Sequence, residues 1–140
     1  MGDIMVIGSI AESAGTGIVT VASAHSGAAT VDQLQTLIRD RGLMLFTCID
    51  FSGDAERAGL ELRFSQLVIF GNPRAGTPLM QCTPTAALDL PLKVLVWEDA
   101  NGDTWLSFNS IEYLRQRHGL PGDLMTPVSG VAALVDAAAR

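Results

Sequence analysis

The 140 residues are the length of one domain, and with 48% hydrophobic and 17% charged residues the chain can bury a single core without disulfide or metal staples. A formal charge of -6 opposes the basic footprint that phosphate backbones and anionic bilayers require, so neither nucleic acid nor a membrane is an expected partner. Cys48 and Cys82 stand apart with no CxxC and no histidine at ligand spacing, so neither a metal nor a cofactor is expected.

Residues 1–16 mix Gly, Ser and Ala with no sustained period and read as a mobile tail ahead of a single domain over 17–140. The first basic side chain is Arg39, so the start lacks the cationic region of a secretory signal, and the expected location is the cytoplasm. "GIVTVASAH" is β-branched and small, which predicts a first strand ending near His25. Thr30 and Gln33 make a capping box for a helix whose stripe is Val31, Leu34, Leu37 and Ile38, closed by Gly42. "LMLFTCIDF" predicts a second strand, "GDAERAGLEL" a short helix or turn, and "QLVIFG" a third strand.

The stretch "IFGNPRAGTPLMQ" then raises a question of chemistry. Gly71 to Gly76 has the spacing of a phosphate loop with Thr77 beyond, but the lysine that should precede the threonine is absent. Arg74 is at hand, and Thr77-Pro78 has the form of a helix cap, so a small anion at exposed N–H groups is one reading. The other is a turn in which Gly71 permits tight packing and Asn72-Pro73 steers the strand out of the sheet. Thr83-Pro84 forms a second cap, and two helical turns are expected between Gly76 and Asp89.

"LKVLVWEDANGDTWLSFN" reads as a hairpin with Asn101-Gly102 as a two-residue turn. That turn sets Ala100 opposite Asp103, Glu98 opposite Trp105, Val96 opposite Ser107 and Val94 opposite Asn109. Leu95, Trp97, Leu106 and Phe108 then meet the core, while Glu98, Trp105, Ser107 and Asn109 share the other face, suited to a small-molecule pocket or a subunit interface. Ser110 caps a short helix ending at Gly119, where His118 complements the helix dipole. Thr126-Pro127 opens a last helix with Val128, Val131, Leu134, Val135 and Ala138 in one stripe. The order predicts an α+β fold: five strands in a mainly antiparallel sheet, in β-α-β4-α order, with two long helices on one face and short helical turns besides.

The strings FGNP, ALDLP and the G-x-x-W hairpin arm ending in "SFN" resemble, over about residues 18–122, the domain of unknown function 302 family. The resemblance implies a TATA-binding-protein-like fold, often as a homodimer, and no reaction. It maps the family's stretches onto Ser23, His25 and Ser26, onto Gly71, Asn72 and Pro73, and onto Asp89. Family members often carry His where this chain has Phe51. Fold likeness does not imply DNA binding, and the charge opposes it.

Three functions follow as expectations. One is a homodimeric module binding a small polar or anionic ligand, with Ser23, His25, Asn72, Arg74, Thr77, Glu98, Trp105, Ser107 and Asn109 as candidate contacts. A second is an enzyme of unknown reaction with His25 as general acid or base, near neutral pH, and Asn72 or Asp89 orienting the substrate. The third is a structural or stress-related dimer.

Overall fold

The computed structural model describes residues 15–140, and residues 4–7 and 10–13 as strands. Seven strands run β1 (Ile4–Ile7), β2 (Ile10–Ser13), β3 (Ile18–Ala22), β4 (Met44–Asp50), β5 (Ser65–Gly71), β6 (Leu92–Glu98) and β7 (Thr104–Asn109). The helices are α1 (Gly27–Asp40), α2 (Phe51–Arg57), α3 (Pro73–Cys82), α4 (Ile111–His118) and α5 (Val131–Ala139), with 3-10 turns at Pro84–Leu88 and Gly122–Val128. The five expected strands, β3 to β7, form an antiparallel sheet in the order β3-β7-β6-β5-β4, and β1 and β2 extend it beyond β3. Residues 4–7 and 10–13 were expected in a mobile tail. β2 pairs with the edge that β3 offers and β1 pairs in turn with β2, a long-range gain invisible to local periodicity.

One face of the sheet is sealed by α1 and α5. Val21, Val68, Phe70, Val94, Val96, Leu106 and Phe108 from the strands join Val31, Leu34, Ile38, Leu134, Val135 and Ala138 in one core. A second, smaller core gathers Ala75, Leu79, Ala86, Leu120, Met125 and Val128 from α3 and the two 3-10 turns, and Leu92 and Ile111 touch both. Each fully buried aliphatic or aromatic side chain is worth about 1.5–3 kcal/mol, so these two clusters define the fold.

Local chemistry moved several element starts. Ser26, not Thr30, caps α1, its hydroxyl accepting from the Ala29 N–H at 3.2 Å. Gly27 can begin the helix because the Phe64 ring lies where a side chain would project. Thr30 is instead buried one turn in, where its hydroxyl donates to the Ser26 carbonyl. Likewise Asn72-Pro73 starts α3, five residues ahead of Thr77-Pro78, which falls inside the helix. Thr126-Pro127 lies in the 3-10 turn before α5 rather than at the helix start.

The β6–β7 hairpin differs from expectation by one residue. The observed pairs are Glu98 with Thr104, Trp97 with Trp105, Val96 with Leu106, Leu95 with Ser107 and Val94 with Phe108. The Asp99 carboxylate accepts from the Asn101 and Asp103 N–H groups at 2.9 and 3.0 Å, closing a three-residue loop in which Gly102 takes φ 83°. A shift of one exchanges the faces. Val94, Val96, Leu106 and Phe108 are therefore the buried set, Glu98 lies on their face, and Trp105, Ser107 and Asn109 remain together on the other.

Candidate functional site

The "IFGNPRAGTPLMQ" stretch opens onto a cavity of about 250 Å³ between the end of β5, the start of α3 and the first turn of α5. Phe70, Gly71, Asn72, Gly76, Met80 and Leu134 line it, with Leu43 and Arg41 from the end of α1 and the segment after it. Phe46 reaches it from a register shift in β4 between Leu45 and Thr47; such a bulge re-aims a side chain that strict alternation would send elsewhere. An added methyl on Gly71 would meet Pro91 and Phe46 at 3.5 and 3.6 Å, and one on Gly76 would meet Met80 at 3.5 Å. Those are ordinary contacts, so both glycines leave room in the cavity rather than allowing an otherwise impossible approach.

The first turn of α3 offers little to an anion. Pro73 has no N–H, the Asn72 side-chain oxygen accepts from the Arg74 N–H at 3.0 Å, and the Asn72 carbonyl accepts from Ala75 and Gly76, each at 2.9 Å. The donors that a phosphate cradle would present are consumed by the cap. Arg74 and Thr77 point no bonded group at the cavity and are exposed on α3.

Asp89 belongs to the same end of the sheet, three residues before β6, and is held by Arg117 and His118. His118 Nε2 lies 2.6 Å from its carboxylate and Arg117 Nη1 at 3.1 Å, while His118 Nδ1 is 3.1 Å from the Thr85 hydroxyl. Side chains 33 residues apart thus clamp the Pro84–Leu88 turn to the end of α4. The order hydroxyl, imidazole, carboxylate is that of a proton relay, but the space beside His118 and Asp89 is only about 10 Å³, too small for a substrate.

His25 lies at the opposite end. β3 finishes at Ala22 beside Trp105, and β5 finishes beside Met44, so the loop carrying His25 and the Asn72 and Asp89 segments leave the sheet at its two different ends. Thr30 commits its proton to Ser26, so Ser23 donates to Thr30 at 2.6 Å and accepts from the His25 N–H at 3.1 Å. The His25 Nε2 is buried with no hydrogen-bond partner among the described residues.

On the sheet face away from α1 and α5, Trp97 and Trp105 stack with ring centroids 6.3 Å apart. Trp97 donates to Ser107 at 2.9 Å, Ser107 and Thr20 share a hydrogen bond at 2.8 Å, and Trp105 donates to Asp99 at 2.9 Å. The indole of Trp105, with the Asp103 and Asn101 N–H groups, holds the Asp99 carboxyl below its ordinary range. Asn109 ends this face beside Ile18. Glu98 is absent from it and pairs instead with Arg63 at 3.5 Å. Leu67, Ile69 and Leu95 fill the rest of the face, half-buried and outside both cores.

The groups around the end of β4 are plainly local. Asp50 caps α2, and the Gly53 N–H and Ser52 hydroxyl hold its carboxyl below the usual range. Phe51, where the family often has histidine, is the exposed first residue of α2. Burial, and then the neighbouring Asp50 charge, push the Cys48 thiol up, opposite to what a nucleophilic cysteine needs. No group of three or more His, Cys, Asp or Glu side chains among the described residues is placed to hold a metal ion. Arg41, Phe46 and Leu134 were missed as site residues by sequence reading, because no local motif joins residues so far apart in the chain.

Known proteins give the context. A crystal structure of an uncharacterized conserved DUF302 protein from Bacillus stearothermophilus superposes with a TM-score of 0.73 at 15% identity, covering 89% of this chain and 97% of that one, which shows the fold. Proteins named fluoride-specific ion channel FluC 1 from Brucella suis biovar 1 and from Brucella abortus biovar 1 are each 45% identical over 105 residues, 75% of this chain. Those residues are 41% and 39% of the two proteins, so the chain spans about two fifths of the curated relatives it matches. No helix among the described residues is long and apolar enough to cross a membrane. The family model for the domain of unknown function DUF302 matches residues 19–138, and the chain belongs to that family.

Proposed function

We propose that the chain is a homodimeric binding module for a small, largely apolar molecule held in the cavity beside Gly71 and Asn72. The observation that carries this reading is the cavity itself: about 250 Å³, walled by Leu, Phe, Met and Pro side chains and bordered by few polar groups. Concave apolar sites with a few directional polar groups are how small ligands are ordinarily held. The half-buried face of Leu67, Leu95, Trp97 and Trp105 supports the second copy, since both indole N–H groups are already bonded to Ser107 and Asp99 and the rings and leucines leave an apolar surface to cover. Cytoplasmic location accords with two unpaired thiols.

Thermal shift across a panel of neutral and anionic apolar compounds tests the binding reading. A ligand at about 100 times its Kd adds about 2.7 kcal/mol, a readily measured rise in Tm. No rise with any compound at millimolar concentration contradicts it. The dimer is tested separately by light scattering, where a monomer at every concentration is the contrary result.

The similarity to part of two proteins named as fluoride channels favours a second reading, in which the domain serves a fluoride-handling assembly. Deleting its gene should then sensitise cells to fluoride; unchanged tolerance counts against it.

A further inference from the structure

Resting on the cavity-binding reading above, we propose that the ligand is an amphipathic monoanion, an apolar body of about ten heavy atoms carrying a carboxylate, and that Arg41 anchors its head group. Size comes first. A dry cavity of about 150 Å³ accepts benzene, so at the same packing a volume of about 250 Å³ accommodates about ten heavy atoms. The wall fixes the chemistry of the body, since Leu43, Phe70, Met80 and Leu134 offer it no hydrogen bond.

Charge fixes the head. Among the described residues Arg41 is the sole charged one lining the cavity, and no carboxylate accompanies it there. Among the described residues Arg57, Arg63, Arg115, Arg117 and Arg140 each pair with an acid, whereas the side chains of Arg39, Arg41, Arg74 and Lys93 take part in no ion pair or side-chain hydrogen bond, and of those four Arg41 alone lines the cavity. In a chain of net charge -6 that has acids to spare, a cation left unpaired at the mouth of an apolar cavity is complementary to an anion. A guanidinium fork matches a carboxylate bidentately. The second polar lining group is Asn72, whose oxygen is committed to the Arg74 N–H while its amide nitrogen remains a donor. A phosphate head would call for more donors than this, and the first turn of α3 has none left.

Octanoate and octanol have matched bodies and differ in the head. Calorimetric titration of the wild-type chain, Arg41→Gln and Gly76→Ala at neutral pH separates the possibilities. Arg41 is exposed at the end of α1, and a methyl on Gly76 meets only ordinary contacts, so both variants should fold. The expected result is octanoate binding at least tenfold tighter than octanol, reduced to the octanol level by Arg41→Gln. Gly76→Ala should weaken both ligands together. Equal affinity for the two ligands, untouched by Arg41→Gln, overturns the anionic head while leaving the cavity reading standing. Affinity that ignores Gly76→Ala overturns the placement in this cavity. Absence of binding by both ligands overturns this proposal, and the cavity reading then stands or falls on the thermal-shift panel.

Discussion

The two ends of the sheet treat polar groups in opposite ways. On the tryptophan face the indole N–H groups, Ser107, Thr20 and Asp99 bond one another, so their hydrogen-bonding capacity is largely spent within the face. Beside Gly71 the wall is apolar and its one arginine, Arg41, has no side-chain partner among the described residues. The contrast teaches that a cluster of polar and aromatic side chains is not by itself a pocket. Space and unspent hydrogen-bonding capacity make one, and both lie with the glycine loop, while the tryptophans present a self-contained surface suited to a second subunit.

The largest effect should come from the cavity wall. Leu134 is 1% exposed, and Leu134→Ala should cost about 2–5 kcal/mol in denaturant unfolding while enlarging the site, so that the surviving folded protein prefers bulkier ligands. A shift in stability with no change in ligand size preference would separate the core from the cavity. Next is Leu95→Arg, which places a charge in the centre of the tryptophan face. Sedimentation should show the dimer dissociation constant rising at least about 100-fold, as loss of a central interface anchor implies, with ligand affinity unchanged. If ligand affinity falls with it, the two regions are coupled and the division between them fails.

Much of this arrangement was legible in the sequence. β-branched runs located β3, β5 and β6, and the α1 stripe of Val31, Leu34 and Ile38 is buried as its period requires. The hairpin was legible but its register was not, because a single side chain, Asp99, selects a three-residue loop over the two-residue turn that Asn-Gly favours. Helix starts moved for the same kind of reason: Ser26 and Asn72 compete with later threonines, and tertiary contacts such as Phe64 on Gly27 decide between them. The Asp89 to His118 clamp and the Arg41 to Leu134 cavity join residues with no shared local pattern. Asp89 itself was singled out to orient a substrate for His25, yet it is bonded to Arg117 and His118 at the other end of the sheet.

Smaller effects sharpen the tryptophan side. Ser107→Ala removes the acceptor of Trp97 and a partner of Thr20, and should destabilise by about 1 kcal/mol with a change in tryptophan emission. Unaltered emission would show that the network does not hold the ring. Acid gives the mildest test. The folded Asp99 carboxyl is depressed below 3.8, so its contribution is intact above that pH and is lost as pH falls through the lower folded value. Trp105 emission should therefore be flat from neutral pH down to about 3.8 and move only below it, whereas a transition centred higher would contradict the Asp99 bond.

Methyl and indole NMR on one sample compares the two regions directly. Titrating octanoate into the protein should shift the Met80, Leu43 and Leu134 methyl signals and leave the Trp97 and Trp105 indole N–H signals in place. Indole shifts with silent cavity methyls would contradict the account, placing the ligand on the sheet face and the glycine loop back among ordinary turns.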